Sequence, residues 1–74
     1  MEKPIFDYSK LRGRIREKCG TQKQFAAAMG MSPATVSMKL ANKRYFNQSE
    51  IVRAVDVLGI EYGKSALYFI AQRI

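Results

Sequence analysis

Residues 21–40 read TQKQFAAAMGMSPATVSMKL, and this stretch decides the fold. Thr21 followed three residues later by Gln24 is a capping box, in which each side chain can satisfy a free amide at a helix start. Gln22 to Met29 are strong helix formers, with Phe25, Ala26 and Met29 on one side. Gly30 stands where the helix must stop, because glycine tolerates the left-handed conformation that a C-cap needs. Ser32 then serves as N-cap and Pro33 as first helical residue, where the missing N–H costs nothing. Val36 and Leu40, four apart, anchor this second helix to the first, and Ala26 is small where the two backbones approach. Two short helices joined by a glycine turn, with the outer face of the second left open, form a helix–turn–helix suited to the DNA major groove.

The set Gln22, Ala26, Gly30, Val36 resembles the helix–turn–helix of the lambda-type repressor and Cro family of temperate phages. That pattern has a Gln opening the first helix, a small residue four later, a glycine another four on, and a branched apolar residue six after that. Over roughly residues 6 to 60 the chain is similar to short Cro-like proteins of phages from Gram-positive bacteria. Two positions depart from the pattern. Leu40 comes four residues after Val36 where the family has three, and Gly20 replaces a branched apolar residue. Both bear on the rotation of the second helix. The resemblance implies a sequence-specific double-stranded DNA-binding repressor, dimeric on a two-fold operator with half-sites about 34 Å apart.

Seventy-four residues make a single domain, with the motif at 21–41 and a candidate dimerisation tail at 60–74. So short a chain buries only about 60% of its unfolded surface, so its core must be efficient. Helical periodicity with few β-branched runs predicts an all-α bundle of about five short helices. Thirteen Lys and Arg against six Asp and Glu leave a net charge of +7, which suits a polyanionic partner. Cys19 is the single cysteine; it reads as a small core residue, and a reducing compartment is expected. No apolar run approaches the ~18 residues of a membrane span. The first ten residues lack the apolar region of a secretory signal, so the expected location is the cytoplasm of a bacterial host, at the nucleoid. With no histidine and no metal-ligand spacing, neither catalysis, nor a metal or cofactor, nor a small-molecule ligand is expected.

Outside the motif, a first helix is expected from Ser9 to Cys19, capped by Asp7 or Ser9 and closed by Gly20. Leu11, Ile15 and Cys19 should face the core. Lys10, Arg12, Arg14, Arg16 and Lys18 should form a solvated basic surface with Glu17 as a partner. Gly13, in mid-helix, implies a close backbone contact. Asn47 followed by Glu50 caps a fourth helix, with Ile51, Val52, Val55 and Leu58 as its apolar stripe and Gly59 as its end. Residues 64–74, KSALYFIAQRI, read as a helix or a short strand. There Leu67 and Phe69 are expected to close the core, while Tyr68, Ile70 and Ile74 are candidates for a dimer seam.

At about 100° per residue, a helix centred on Val36 and Leu40 points Met38 directly outward, with Ala34 beside it and Thr35 and Ser37 on the flanks. Ala34, Thr35, Ser37 and Met38 are therefore the candidate base readers. The set is unusual, because strong readers are Arg on guanine and Asn or Gln on adenine. Affinity would have to come from phosphates, held by Gln22, Lys23, Lys39, Asn42, Lys43 and Arg44. Three to four phosphates on each of two subunits give a log K against log salt slope of about −5 to −7. Tyr45 and Phe46 read as core plugs beneath the clamp. The apolar outward face equally suits a groove in another protein, so a protein-binding antirepressor or adaptor is the alternative.

Overall fold

The computed structural model describes residues 5–71, and every expected helix forms. They are α1 (Ser9–Cys19), α2 (Gln22–Met29), α3 (Pro33–Leu40), α4 (Gln48–Leu58) and α5 (Ser65–Phe69), the last entered through a 3-10 turn at Tyr62–Lys64. No strand forms among the described residues, and within the C-terminal segment Ser65–Phe69 is helix. Ile74, a candidate for the dimer seam, lies outside the described residues.

Local chemistry starts and stops each helix of the motif. Thr21 Oγ1 accepts the Gln24 amide at the start of α2, and Ser32 Oγ accepts the Thr35 amide at the start of α3. At α4 the box is complete: Asn47 Oδ1 accepts the Glu50 amide, and Glu50 Oε1 accepts the Asn47 amide. α1 is begun by Asp7, whose carboxylate accepts the Ser9 amide, although the N-cap position itself is Tyr8. The helices α2, α3 and α4 all end in paired reverse bonds, Met31 N–H to Ala26 O, Lys43 N–H to Met38 O and Ile60 N–H to Val55 O.

The core gathers Leu11 and Ile15 from α1, Phe25, Ala26 and Met29 from α2, Val36 and Leu40 from α3, and Ala54, Val55 and Leu58 from α4. Phe69 of α5 closes it, as expected, together with Tyr8, Phe46 and Ile60. Cys19 is half-buried and packs against this cluster. Two apolar expectations fail. Val52 is 53% exposed and Leu67 is 52% exposed. Each stands about 100–200° round its helix from the neighbour that is buried, so a short helix cannot seat both.

The basic residues of α1 do more than coat it. Arg12 Nη2 donates to the carbonyl of Leu40 at the end of α3, and Arg14 Nε and Nη2 donate to Leu58 and Gly59 at the end of α4. Arg53 of α4 donates to Met29 at the end of α2, 2.9 Å away. Three helix C-termini, each carrying partial negative charge and unpaired carbonyls, are thus closed by an arginine from another helix. Arg14 also pairs with Glu17, as expected.

Gly13 has no close neighbour: a Cβ built there meets nothing within 4 Å. The expected backbone contact does not exist, and the glycine simply weakens an exposed stretch of α1. Gly13→Ala should stabilise the fold by about 1 kcal/mol, visible in thermal unfolding as a midpoint raised by roughly 4–8 °C.

Candidate functional site

α3 is held by Val36, Lys39 and Leu40, all buried, and not by Val36 and Leu40 alone. Adding Lys39 to the inward set turns the helix by about 25° from the expected rotation. The outward line then falls between Ala34 and Met38; Ala34 and Ser37 are exposed, while Met38 and Thr35 are half-buried. The four candidate readers still share the open side of α3.

Lys39 is corrected from clamp to core, with only 5% of its surface exposed. Its ammonium pairs with Glu50 and donates to the carbonyl of Tyr45, 3.2 Å away, and it lies 5.7 Å from the centre of the Phe46 ring. The four-carbon stem lets a cation reach a partner eleven residues ahead while its methylenes fill the α3–α4 junction. Burial alone would raise the Glu50 carboxyl, but its bonds to Lys39 and to the Asn47 amide, with the charges of Lys39 and Arg44, hold it below its ordinary value.

Asn42 is likewise removed from the clamp. Its backbone is left-handed, with φ 65°, and its carboxamide is engaged twice with Phe6. Oδ1 accepts the Phe6 amide at 2.8 Å and Nδ2 donates to the Phe6 carbonyl at 3.0 Å. What remains of the clamp is Gln22, half-buried at the head of α2, with Lys23, Lys43 and Arg44, all exposed. These form no ion pair among the described residues. Between Glu17 and Glu50 the sequence holds no acidic residue, and Glu50 itself lies within the field of Arg44.

A second surface was not foreseen. Tyr45, Phe6, Tyr8, Phe46 and Phe69 form a continuous chain of rings, with successive centroids 5.6, 6.1, 5.8 and 5.5 Å apart. Three of the four contacts are edge-on, the arrangement that ring quadrupoles favour. These five rings, with Ile51 and Ile70, line an open groove of ≈ 350 Å³. Ile70 is 58% exposed on its rim and Tyr45 39%. Phe46 is the expected plug; Tyr45 instead stands edge-on to Phe6 at the groove mouth. The groove is built by residues 6–8, 45–46 and 69–70 with Ile51 of α4; Phe69 is the last residue of α5, and the other four rings lie outside the helices. The aromatic pairs Phe6/Tyr8, Tyr45-Phe46 and Tyr68-Phe69, each flanking a break in the helical pattern, were the available signal. Of the dimer-seam candidates, Tyr68 is half-buried beside the core with Lys10 over its ring, and Ile70 lies on the groove.

Residues 4–72 match the model of a family described as proteins of unknown function, DUF739. The chain belongs to this family. It is also similar to a solved structure, the modulator of repression (MOR) of the temperate bacteriophage TP901-1 from Lactococcus lactis. Identity is 50%, 86% of each chain is covered, and the TM-score is 0.78. No curated protein matches the chain. The solved relative is a phage protein, as the sequence resemblance implied, and by name it is a modulator of repression.

Proposed function

We propose that this protein is a phage-type regulator that modulates repression by binding a protein of the repression circuit, with the aromatic groove as its docking surface. The observation that carries this reading is the groove itself. It combines apolar side chains from three segments and α4 with exposed Tyr45 and Ile70, a surface that suits an apolar protein contact. Support also comes from what α3 lacks. Its open side offers Ala34, Ser37 and Met38, none of them a strong base reader, and two of the six expected phosphate ligands are engaged inside the protein.

The test pairs the purified protein with two candidates: the repressor of a phage encoding a protein of this family, and that repressor's operator duplex. The expected result is saturable binding to the repressor, with NMR shift changes centred on Tyr45 and Ile70. Operator-specific binding without repressor binding overturns the reading.

A second reading, sequence-specific DNA binding as a dimeric repressor, is favoured by the acid-free stretch from residue 18 to residue 49. Its magnitude must be revised. With Lys39 engaged, three exposed cations per subunit remain on this face, Lys23, Lys43 and Arg44. Each phosphate neutralised contributes about −0.9 to the slope of log K against log salt. A single subunit should therefore show a slope of about −3, and two subunits about −5. Titrations on operator and on scrambled duplex between 50 and 200 mM salt, conditions in which such slopes are read, check both the slope and the preference. Equal affinities for the two duplexes are expected when charge alone holds DNA.

A further inference from the structure

Among the described residues, Asn42 is the one non-glycine with positive φ. At the corresponding ends of α2 and α4 the left-handed position is taken by Gly30 and Gly59, with φ 70° and 62°. Glycine meets that backbone need without strain, so the need for a left-handed cap does not explain why an asparagine ends α3. What asparagine adds is a carboxamide, and both of its polar atoms are bonded to the main chain of one residue, Phe6. This is the pairing that a neighbouring strand would give, supplied by a side chain across 36 residues of sequence. Beyond it, the Asp7 amide is held by the Ala71 carbonyl at 2.7 Å. The segment from Ile5 to Tyr8 is therefore a strap, fastened at one point to the end of α3 and at another to the C-terminal segment. Phe6, between Tyr8 and Tyr45, walls the groove together with Tyr8 of the same strap.

We infer that Asn42 is the positioning residue of the groove: its carboxamide clips the strap so that Phe6 stands as a fixed wall, and so ties the groove to the end of α3. The inference deepens the docking role proposed above, but its test needs no partner. Amide hydrogen exchange of Phe6, followed by NMR, is compared in the native protein and in Asn42→Gly, Asn42→Ala and Asn42→Asp. Glycine keeps the left-handed backbone and removes the clip; alanine removes both; aspartate keeps an acceptor for the Phe6 amide.

In Asn42→Gly the Phe6 amide should exchange at least about 10-fold faster, while Ile15 and Val55 in the core keep their protection. The Tyr45 ring resonances should move toward values for an unstacked ring. Asn42→Asp should restore part of the Phe6 protection. Unchanged Phe6 exchange in Asn42→Gly overturns the inference. So does an equal loss at Ile15 and Val55, since Asn42 would then support the fold and not the strap. If the Phe6 result holds and groove substitutions leave repressor binding intact, the docking role alone fails.

Discussion

Glu50→Ala should destabilise the protein by about 3 kcal/mol, the low end for breaking a buried pair by removing one partner. The low end applies because the Glu50 side chain keeps 21% of its exposure while that of Lys39 keeps 7%. The loss has two parts. The Lys39 ammonium would be left with the Tyr45 carbonyl as its one remaining hydrogen-bond partner, and the Asn47 amide at the head of α4 would lose its acceptor. In a domain of this length, total stability is on the order of 4–11 kcal/mol, so much of it is at stake. Thermal unfolding should show a midpoint lowered by roughly 12–24 °C. Lys39→Met should be milder, because methionine replaces the stem and Glu50 retains the Asn47 amide. The double variant Lys39→Met/Glu50→Gln should recover most of the loss, since replacing both charges avoids an unpaired one. A double variant as unstable as Glu50→Ala would show that the ion pair itself carries the loss, and neither a stranded Lys39 charge nor the capping bond, which glutamine retains.

Acid supplies an independent check. The Glu50 carboxyl is held below its ordinary value of 4.5 in the folded protein, so its contribution is complete above that value. The contribution disappears as pH falls through the lowered folded value. The native midpoint should therefore drop faster than that of Glu50→Gln on acidification below about pH 4.5. Parallel curves would exclude the ion pair as the source of the stability.

The helices α2 and α3 were legible because their signals are local. Thr21, Gly30, Ser32 and Pro33 each act within a few residues of themselves, and Phe25, Ala26, Met29, Val36 and Leu40 all face the core as their spacing requires. Lys39 was misread because sequence spacing assigns a lysine to solvent by charge, whereas its partner Glu50 is a full element away. The same holds for Asn42, whose partner Phe6 precedes α1. α5 was ambiguous because five residues barely complete a helical turn, and only Phe69 among them is buried. The groove was invisible for a related reason: four of its five rings come from segments outside the helices, where no period exists to say which way a side chain faces. Local stereochemistry shaped the scaffold; long-range pairing placed the surfaces.

Tyr45→Ala and Ile70→Asp should each weaken repressor binding by at least about 30-fold, the effect of losing a 2 kcal/mol anchor. The two act differently. Tyr45 stands edge-on to Phe6 at the mouth, so its removal takes away both contact area and the ring that steadies the strap. Ile70 follows Phe69 on the groove and is 58% exposed, and aspartate there would put an unpaired charge against an apolar surface. Ile70→Asp, at so exposed a residue, should change thermal stability by less than about 1 kcal/mol, and Tyr45→Ala should cost more through the lost Phe6 contact. Separation of the two effects is what identifies a contact surface. Ala34→Asp, on the open side of α3, serves as the control. It should leave repressor binding within about threefold while weakening any DNA binding, since a carboxylate there faces phosphates. Loss of repressor binding from Ala34→Asp, with Tyr45→Ala and Ile70→Asp unaffected, would move the docking surface from the aromatic groove to α3.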